Sequence, residues 1–333
     1  MQQKYLIVKG CAGLGNRIST LCAAIEYARD TNRTILVDWA DGVIMPEGYN
    51  FFDDYFVLKN VAHVTSYEEI PNRDKLSFYP NMDGQDITSG TYHLFDQLDE
   101  PQHAPIPFHR LPKNKLRTLY RHWRVKHKKR TELPRRPWIL FDDRVLPYGG
   151  DMSRRIKKDV VFYVDYIPSF SQQTVRENLR LSDPLEARIA AFVDQRLDGG
   201  KAVGVHVRST DKKPDAEIRD LLAQVRQLAK DNTSIFLSTD NIVLQQELQQ
   251  TLQNVHVYPK DLPQVTCGGI HQWSVRNNDH KKSVEILESS IIDMYLLSRC
   301  EFLLFQGNSS FSRIAAVMHG NEQKAFDWNA VAG

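Results

Sequence analysis

The sequence predicts an α/β protein of two Rossmann-like domains facing a cleft, and three observations carry that expectation. A strand, a glycine-rich turn, a helix and a second strand open the chain between Lys4 and Asp38. A second unit of this kind begins at Lys201, where Val203, Val205 and Val207 alternate with Gly204, His206 and Arg208 before a polar turn and a helix. The chain has 333 residues with 41% hydrophobic content, and at about 150 residues per domain that suits two domains, each able to bury a core.

In chain order, Lys4–Val8 is a strand, and Lys9 to Arg17 follow as a glycine-rich turn. Glycine lets a backbone come close to a ligand, and amides at a helix start favour anions. Ile18–Asp30 carries Ile18, Leu21, Cys22, Ile25 and Ala28 on one face and reads as a helix; Thr34–Asp38 is the next strand. GxGxxG is absent, which disfavours a nicotinamide cofactor. Asn16 and Arg17 either line the site or serve as a helix cap and a solvated side chain. Phe51–Phe56 is aromatic and reads as core ahead of an acceptor platform. Pro101–Pro112 is loop, while Arg136–Phe141 and Val160–Ile167 read as strands, the former closing the first sheet. This places a first domain at residues 1–165.

Asp183 and Pro184 open a helix that runs to Leu197. After the central valine strand come a helix at Asp215–Lys230, a strand at Ser234–Thr239 ending in Asp240, a helix at Leu244–Leu252 and a short strand at Val255–Tyr258. Leu262–Lys281 has no periodicity and reads as a loop beside the site. Glu285–Ser298 is a helix, Glu301–Phe305 a strand, and Gln306–Arg313 a turn into the helix Ile314–Met318. Residues 166–318 then form the second domain, and 319–333 are expected to pack back on the first through Phe326 and Trp328. His206, Arg208, Asp211 and Lys212 stand at the carboxyl end of a strand, where open α/β sheets bind ligands. An arginine fork and a lysine point charge there suit a diphosphate.

The net charge of +2 is too small to make nucleic acid a partner of the whole chain. Basic residues cluster instead in Lys113–Arg136, where Glu132 is the only acid and Tyr120 and Trp123 are interleaved. That segment is a solvated face, an acceptor or membrane-surface contact, or a nucleic-acid patch, the last without any accompanying motif. Cys11, Cys22, Cys267 and Cys300 show neither CxxC nor zinc spacing, so reduced thiols are expected. No signal peptide and no apolar run near ~20 residues is visible, so a cytoplasmic protein is expected, with peripheral contact at the inner membrane through residues 113–136 as the further option.

The run GVHVRSTDKK, Gly204–Lys213, resembles the donor-site motif of GDP-fucose-dependent α1,6-fucosyltransferases, the family of bacterial nodulation and animal core fucosyltransferases. GLGNR at Gly13–Arg17, followed by a helix and TILVDW, is similar to the N-terminal motif of that superfamily; Ser238-Thr239-Asp240 and the stretch Glu285–Arg313 are similar to two others. The resemblance implies a GT-B type fold, with the acceptor on the first domain and the nucleotide sugar on the second. It implies that Lys9 and Gly10 lie near the diphosphate, that His206 and Asp293 read guanine, that Asp240 lies near the ribose, and that Ser309 and Ser310 hold phosphates. Asp293 suits its role, since a carboxylate accepts the N1 and N2 hydrogens of guanine together, and it interrupts an apolar helix face.

The implied reaction moves L-fucose from GDP-fucose to a glycan hydroxyl with inversion, Arg208 stabilising the departing diphosphate. A DxD sequence occurs nowhere, which points to cationic side chains in place of a metal and to no cofactor beyond the donor. The family's general base falls at Ala216 here, leaving Asp215 and Glu217 as candidates of similar standing. Ser209 stands where animal members carry a second arginine, which either reduces phosphate contact or shifts it to Lys212 or Lys213. Residues 39–148 match no motif, so the acceptor, an oligosaccharide or lipid-linked glycan, stays open. A transferase for another GDP-sugar and a non-catalytic nucleotide- or glycan-binding protein remain the alternatives.

Overall fold

A computed structural model describes residues 2–10, 12–40, 44–46, 48–79, 138–141, 144–147, 156–163, 168, 170–230, 232–265, 269–270, 273 and 277–330. The basic segment Lys113–Arg136, Cys11, Cys267 and the C-terminal residues 331–333 lie outside these. The chain divides into two α/β units: Met1–Ala12, Asn16–Asp53 and Leu58–Asn178 form the first, and Gly13–Gly15, Asp54–Val57 and Leu179–Gly333 the second.

In the first unit, β1 (Lys4–Lys9) leads through α1 (Leu14–Thr31) into β2 (Arg33–Asp38), as the apolar runs require. Phe52–Tyr55 is a short helix, α2, and Phe51, Phe52, Tyr55 and Phe56 are all buried, as core. β3 (Phe56–Leu58) falls mostly in the stretch that belongs to the second unit, and the next strands of the first are β4 (His63–Val64), β5 (Phe78–Tyr79), β6 (Trp138–Phe141), β7 (Arg144–Pro147) and β8 (Val160–Tyr163). Five of these strands form a parallel sheet in the order β4-β2-β1-β8-β5. Tyr5, Ile7, Leu36, Val160 and Phe162 build the core on one side of it. The expectation that Arg136–Phe141 closes this sheet is corrected, because β6 pairs antiparallel with β7 as a separate ribbon.

The boundary between units also moves, from the expected 165/166 to Asn178/Leu179. The cause is α3 (Gln172–Asn178), which α1 holds by side chains: Arg29 donates to Asn178 Oδ1 at 2.5 Å, and Thr174 donates to Glu26 at 2.8 Å.

The second unit starts with β9 (Leu179–Leu181), which pairs with β3, and α4 (Asp183–Arg196), with proline in its first turn. Then follow β10 (Val203–Val207), α5 (Ile218–Leu228), β11 (Ile235–Thr239), α6 (Ile242–Thr251), β12 (Val255–His256), α7 (His280–Arg299), β13 (Phe302–Phe305), α8 (Ser310–His319) and β14 (Ala325–Asp327). The sheet is parallel, in the order β12-β11-β10-β13-β14. Strand order reverses between β10 and β13, which opens a crevice beyond their carboxyl ends. At Gly204 an added Cβ would come within 3.0 Å of Cys300 Sγ, so the glycine lets β10 press against the end of α7.

The tail departs from expectation. It adds β14 to the second sheet, Trp328 joins that sheet's core at 1% exposure, and Phe326 is exposed. The helix expected from Asp215 begins only at Ile218, because Asn329 Oδ1 accepts the amides of Asp215 and Ala216 at 2.5 and 3.2 Å and holds them in a bend ahead of the helix. Among the described residues no helix is long and apolar enough to cross a membrane.

Candidate active site

A pocket in the second unit gathers the ends of its three central strands. β10 and the residue after it contribute His206 and Arg208, β11 and its following residue contribute Ser238, Thr239 and Asp240, and the first turn of α8, after β13, contributes Ser310 and Phe311. Asp293 enters from α7 and Lys260 from the segment after β12, with Leu262, Ile270 and Ile286 as apolar wall. Gly13–Gly15 complete the lining. An added Cβ on Gly15 would lie 2.5 Å from the backbone of Ser310 and Phe311, which explains the second glycine of GLGNR as a point of close backbone approach.

The loop after β10 is pinned at two points. Gln306, fully buried at the tip of β13, accepts from the Arg208 amide at 2.8 Å. Asp240 accepts from the Ser209 amide at 2.9 Å and from the Thr210 hydroxyl. Arg208 then turns its guanidinium onto Asp211 in a two-pronged ion pair, Nε–Oδ1 and Nη2–Oδ2 both at 2.5 Å, with Asp240 at 3.9 Å.

The inner end of the pocket is more deeply buried. The His206 ring is 4% exposed and packs 5.0 Å from the Phe311 ring, while its backbone oxygen accepts from Trp328 Nε1 at 3.0 Å. Burial first, then the charges of Arg208 and Lys260, push its pKa down to about 3, so the imidazole is neutral near pH 7. Asp293 is 2% exposed and is the only charged residue among the buried positions of α7. Its Oδ2 accepts from the Ser238 hydroxyl at 2.8 Å and from Lys260 Nζ. Burial raises its pKa, and Lys260 and Ser238 oppose that shift. Asp293 Oδ1 and His206 Nδ1 have no hydrogen-bond partner among the described residues. Buried polar atoms are almost always paired, so two such atoms in one pocket indicate room for a polar ligand.

Of the sequence-derived candidates, His206, Arg208, Asp240, Asp293 and Ser310 therefore meet in one pocket. Asp211 belongs through its pair with Arg208. Lys212 donates to Asn308 O at 3.1 Å, and burial followed by the nearby Arg208 lowers its pKa. Ser309 is fully buried and caps α8, its hydroxyl accepting from the Ser312 amide, so it shapes the helix start and does not itself line the pocket. Asp215 does not line the pocket; its Oδ2 accepts from Asn308 at 3.0 Å and Asn329 at 2.9 Å. Glu217 also lies off the pocket, at the N-cap of α5, and pairs with Arg219 at 2.9 Å while 64% exposed.

The first-unit candidates are engaged within that unit. Lys9 is fully buried against Asp38 at 2.6 Å, so its charge is already compensated, and the Gly10 amide donates to Asp38 O at 3.1 Å. Arg17 is fully buried, donates from Nε to Ala12 O at 3.0 Å and lies over the Trp39 and Phe51 rings. Asn16 sits inside α1 and is not its cap; its carbonyl accepts from the Thr20 hydroxyl at 3.0 Å.

Sequence reasoning missed Gln306, Ser238, Phe311 and Lys260, as well as the bracing by Trp328 and Asn329. Gln306 follows an apolar strand just as Arg208 does, and that position was its one signal. Lys260 lies in a stretch without periodicity and gave none.

Among the described residues no cluster of three His, Cys, Asp or Glu side chains is arranged to hold a metal ion. No family model matches the chain. Nodulation protein Z of Bradyrhizobium diazoefficiens is 21% identical, over 94% of this chain and 78% of the relative. The structure of NodZ α-1,6-fucosyltransferase soaked with GDP-fucose superposes with a TM-score of 0.58 at 19% identity, covering 95% of this chain and 93% of that one. The structure of POFUT1 in complex with GDP-fucose gives 0.52 at 12% identity, covering 95% and 94%. The chain thus shares the α/β, GT-B type fold of these fucosyltransferases, over nearly its whole length.

Proposed function

We propose that this chain is a fucosyltransferase, moving L-fucose from GDP-fucose to a glycan hydroxyl with inversion and without a metal ion. The observation that carries the reading is the pair of unpartnered buried atoms, Asp293 Oδ1 and His206 Nδ1, in the pocket that also holds Arg208 and the start of α8. A guanine edge brings N–H donors to a buried carboxylate, and a diphosphate suits an arginine beside a helix N-terminus. The likeness to folds solved with GDP-fucose supports the same donor.

On this reading Asp293 accepts from the guanine ring, and neutral His206 lies alongside without adding charge. The diphosphate lies across Ser310 and the first amides of α8, and Arg208 shares or exchanges its Asp211 partner to reach it. As the bond between the fucose anomeric carbon and the β-phosphate oxygen breaks, negative charge grows on that oxygen, and the Arg208 guanidinium stabilises it. The acceptor hydroxyl attacks from the opposite face of the sugar and gives its proton to a carboxylate. We assign this base to Asp215, held between two asparagine amides, over Glu217, which points to solvent with Arg219. The acceptor is a soluble or lipid-linked oligosaccharide; contact of residues 113–136 with it or with a membrane surface belongs to the proposal as well.

The test is release of GDP from GDP-fucose, with an oligosaccharide mixture as acceptor and EDTA present throughout. Turnover of GDP-fucose in EDTA is the expected result. Turnover of GDP-mannose alone would reassign the sugar, loss in EDTA with recovery on Mg²⁺ would overturn metal independence, and GDP binding without turnover of either sugar would leave a binding protein.

A further inference from the structure

We infer that Lys260 is a specificity-determining residue of this pocket, selecting a 6-oxopurine by donating to the ring oxygen next to the N–H that Asp293 accepts. The inference rests on the nucleotide reading above. Lys260 reaches the pocket with its side chain 8% exposed. An ammonium has three N–H bonds. One goes to Thr239 O at 3.2 Å and one to Asp293 Oδ2, which leaves the third without a partner among the described residues. Asp293 Oδ1, the second oxygen of the same carboxylate, has no partner among the described residues. A donor and an acceptor therefore stand side by side in one buried place.

Guanine and hypoxanthine present O6 and N1–H next to each other, an acceptor beside a donor, which complements this arrangement. Adenine presents the reverse, an amine at position 6 and a bare N1. Against adenine the ammonium would meet amino hydrogens and the carboxylate a lone pair. The apolar wall of Leu262, Ile270 and Ile286 leaves little water to relieve that mismatch. A site whose buried polar groups are left unpaired rejects the wrong ligand far more strongly than one that merely loses a contact. Lys260 also acts through Asp293. Burial favours the protonated carboxyl, which could donate to adenine N1, and the lysine charge opposes that protonation.

The test measures binding of GDP, IDP and ADP to the whole chain and to Lys260→Met and Lys260→Gln by calorimetry. The unaltered protein should favour GDP and IDP over ADP by about a hundredfold or more. Lys260→Met should shrink the GDP-to-ADP ratio by about 10- to 100-fold, the worth of one hydrogen bond to a charged group. Lys260→Gln, which still carries a donor, should recover part of that ratio. A variant that is merely loosened weakens both nucleotides alike and leaves the ratio untouched. An unchanged ratio, with GDP still bound by the unaltered protein, overturns the role of Lys260 alone. Failure of the unaltered protein to bind any guanine nucleotide overturns the nucleotide reading along with it.

Discussion

Among the described residues, two buried lysine–aspartate pairs differ in one respect. Lys9–Asp38, at the carboxyl ends of β1 and β2, and Lys260–Asp293, beside the ends of β10 and β11, all have side chains less than a tenth exposed. In the first, every carboxylate oxygen is used: Oδ2 accepts from Lys9 and from the Tyr67 hydroxyl at 2.5 Å, and Oδ1 accepts from the Ala40 amide at 3.1 Å. In the second, Oδ1 faces a pocket with no partner among the described residues. On the proposed reading, burial and charge alone do not separate a structural pair from a functional one; the vacant hydrogen-bonding position does.

The largest expected effect tests the closed pair. Lys9→Met strands the Asp38 carboxylate, which should cost about 3–5 kcal/mol of stability in denaturant titration. GDP affinity of the folded fraction should not change, and a weakened affinity at unchanged stability would erase the contrast. Next comes the phosphate end of the open site. Arg208→Ala should lower kcat on GDP-fucose by about 10²- to 10³-fold while the melting temperature moves little, since its ion pair with Asp211 is partly exposed. Smaller still is the pH effect of His206. Its folded pKa, about 3, lies below the ordinary 6.5, so the stability of the neutral ring is complete above 6.5 and is lost as pH falls toward 3. Denaturation should show a loss of roughly 2–3 kcal/mol between pH 6.5 and 4.5 from this group, and His206→Phe should flatten that part of the curve.

Much of this was legible in the sequence because it depends on local periodicity. The alternating valines of β10 and the apolar faces of α1 and α7 declare themselves, and Asp293 stands out as a charge within an apolar helix. What was not legible depends on distant partners. A lysine after an apolar strand looks the same whether it awaits a phosphate or is neutralised, and Lys9 was decided by its register with Asp38 across two parallel strands. Trp328 and Asn329 lie more than a hundred residues from the atoms they brace, His206 O and Asp215, and no spacing rule reaches so far. The boundary shifted for a similar reason, since nothing local to Gln172–Asn178 reveals that Arg29 and Glu26 hold it.

The two-pronged grip of Arg208 on Asp211 bears on turnover itself. On the proposed reading, an incoming diphosphate meets an arginine that already has an anionic companion, so docking trades one anion for another. Such a trade weakens the hold on donor and spent nucleotide by a similar amount. It preserves the extra attraction that arises as the sugar departs and the phosphate gains charge. An enzyme built this way would release its product readily, with the aspartate returning to its seat as the nucleotide leaves.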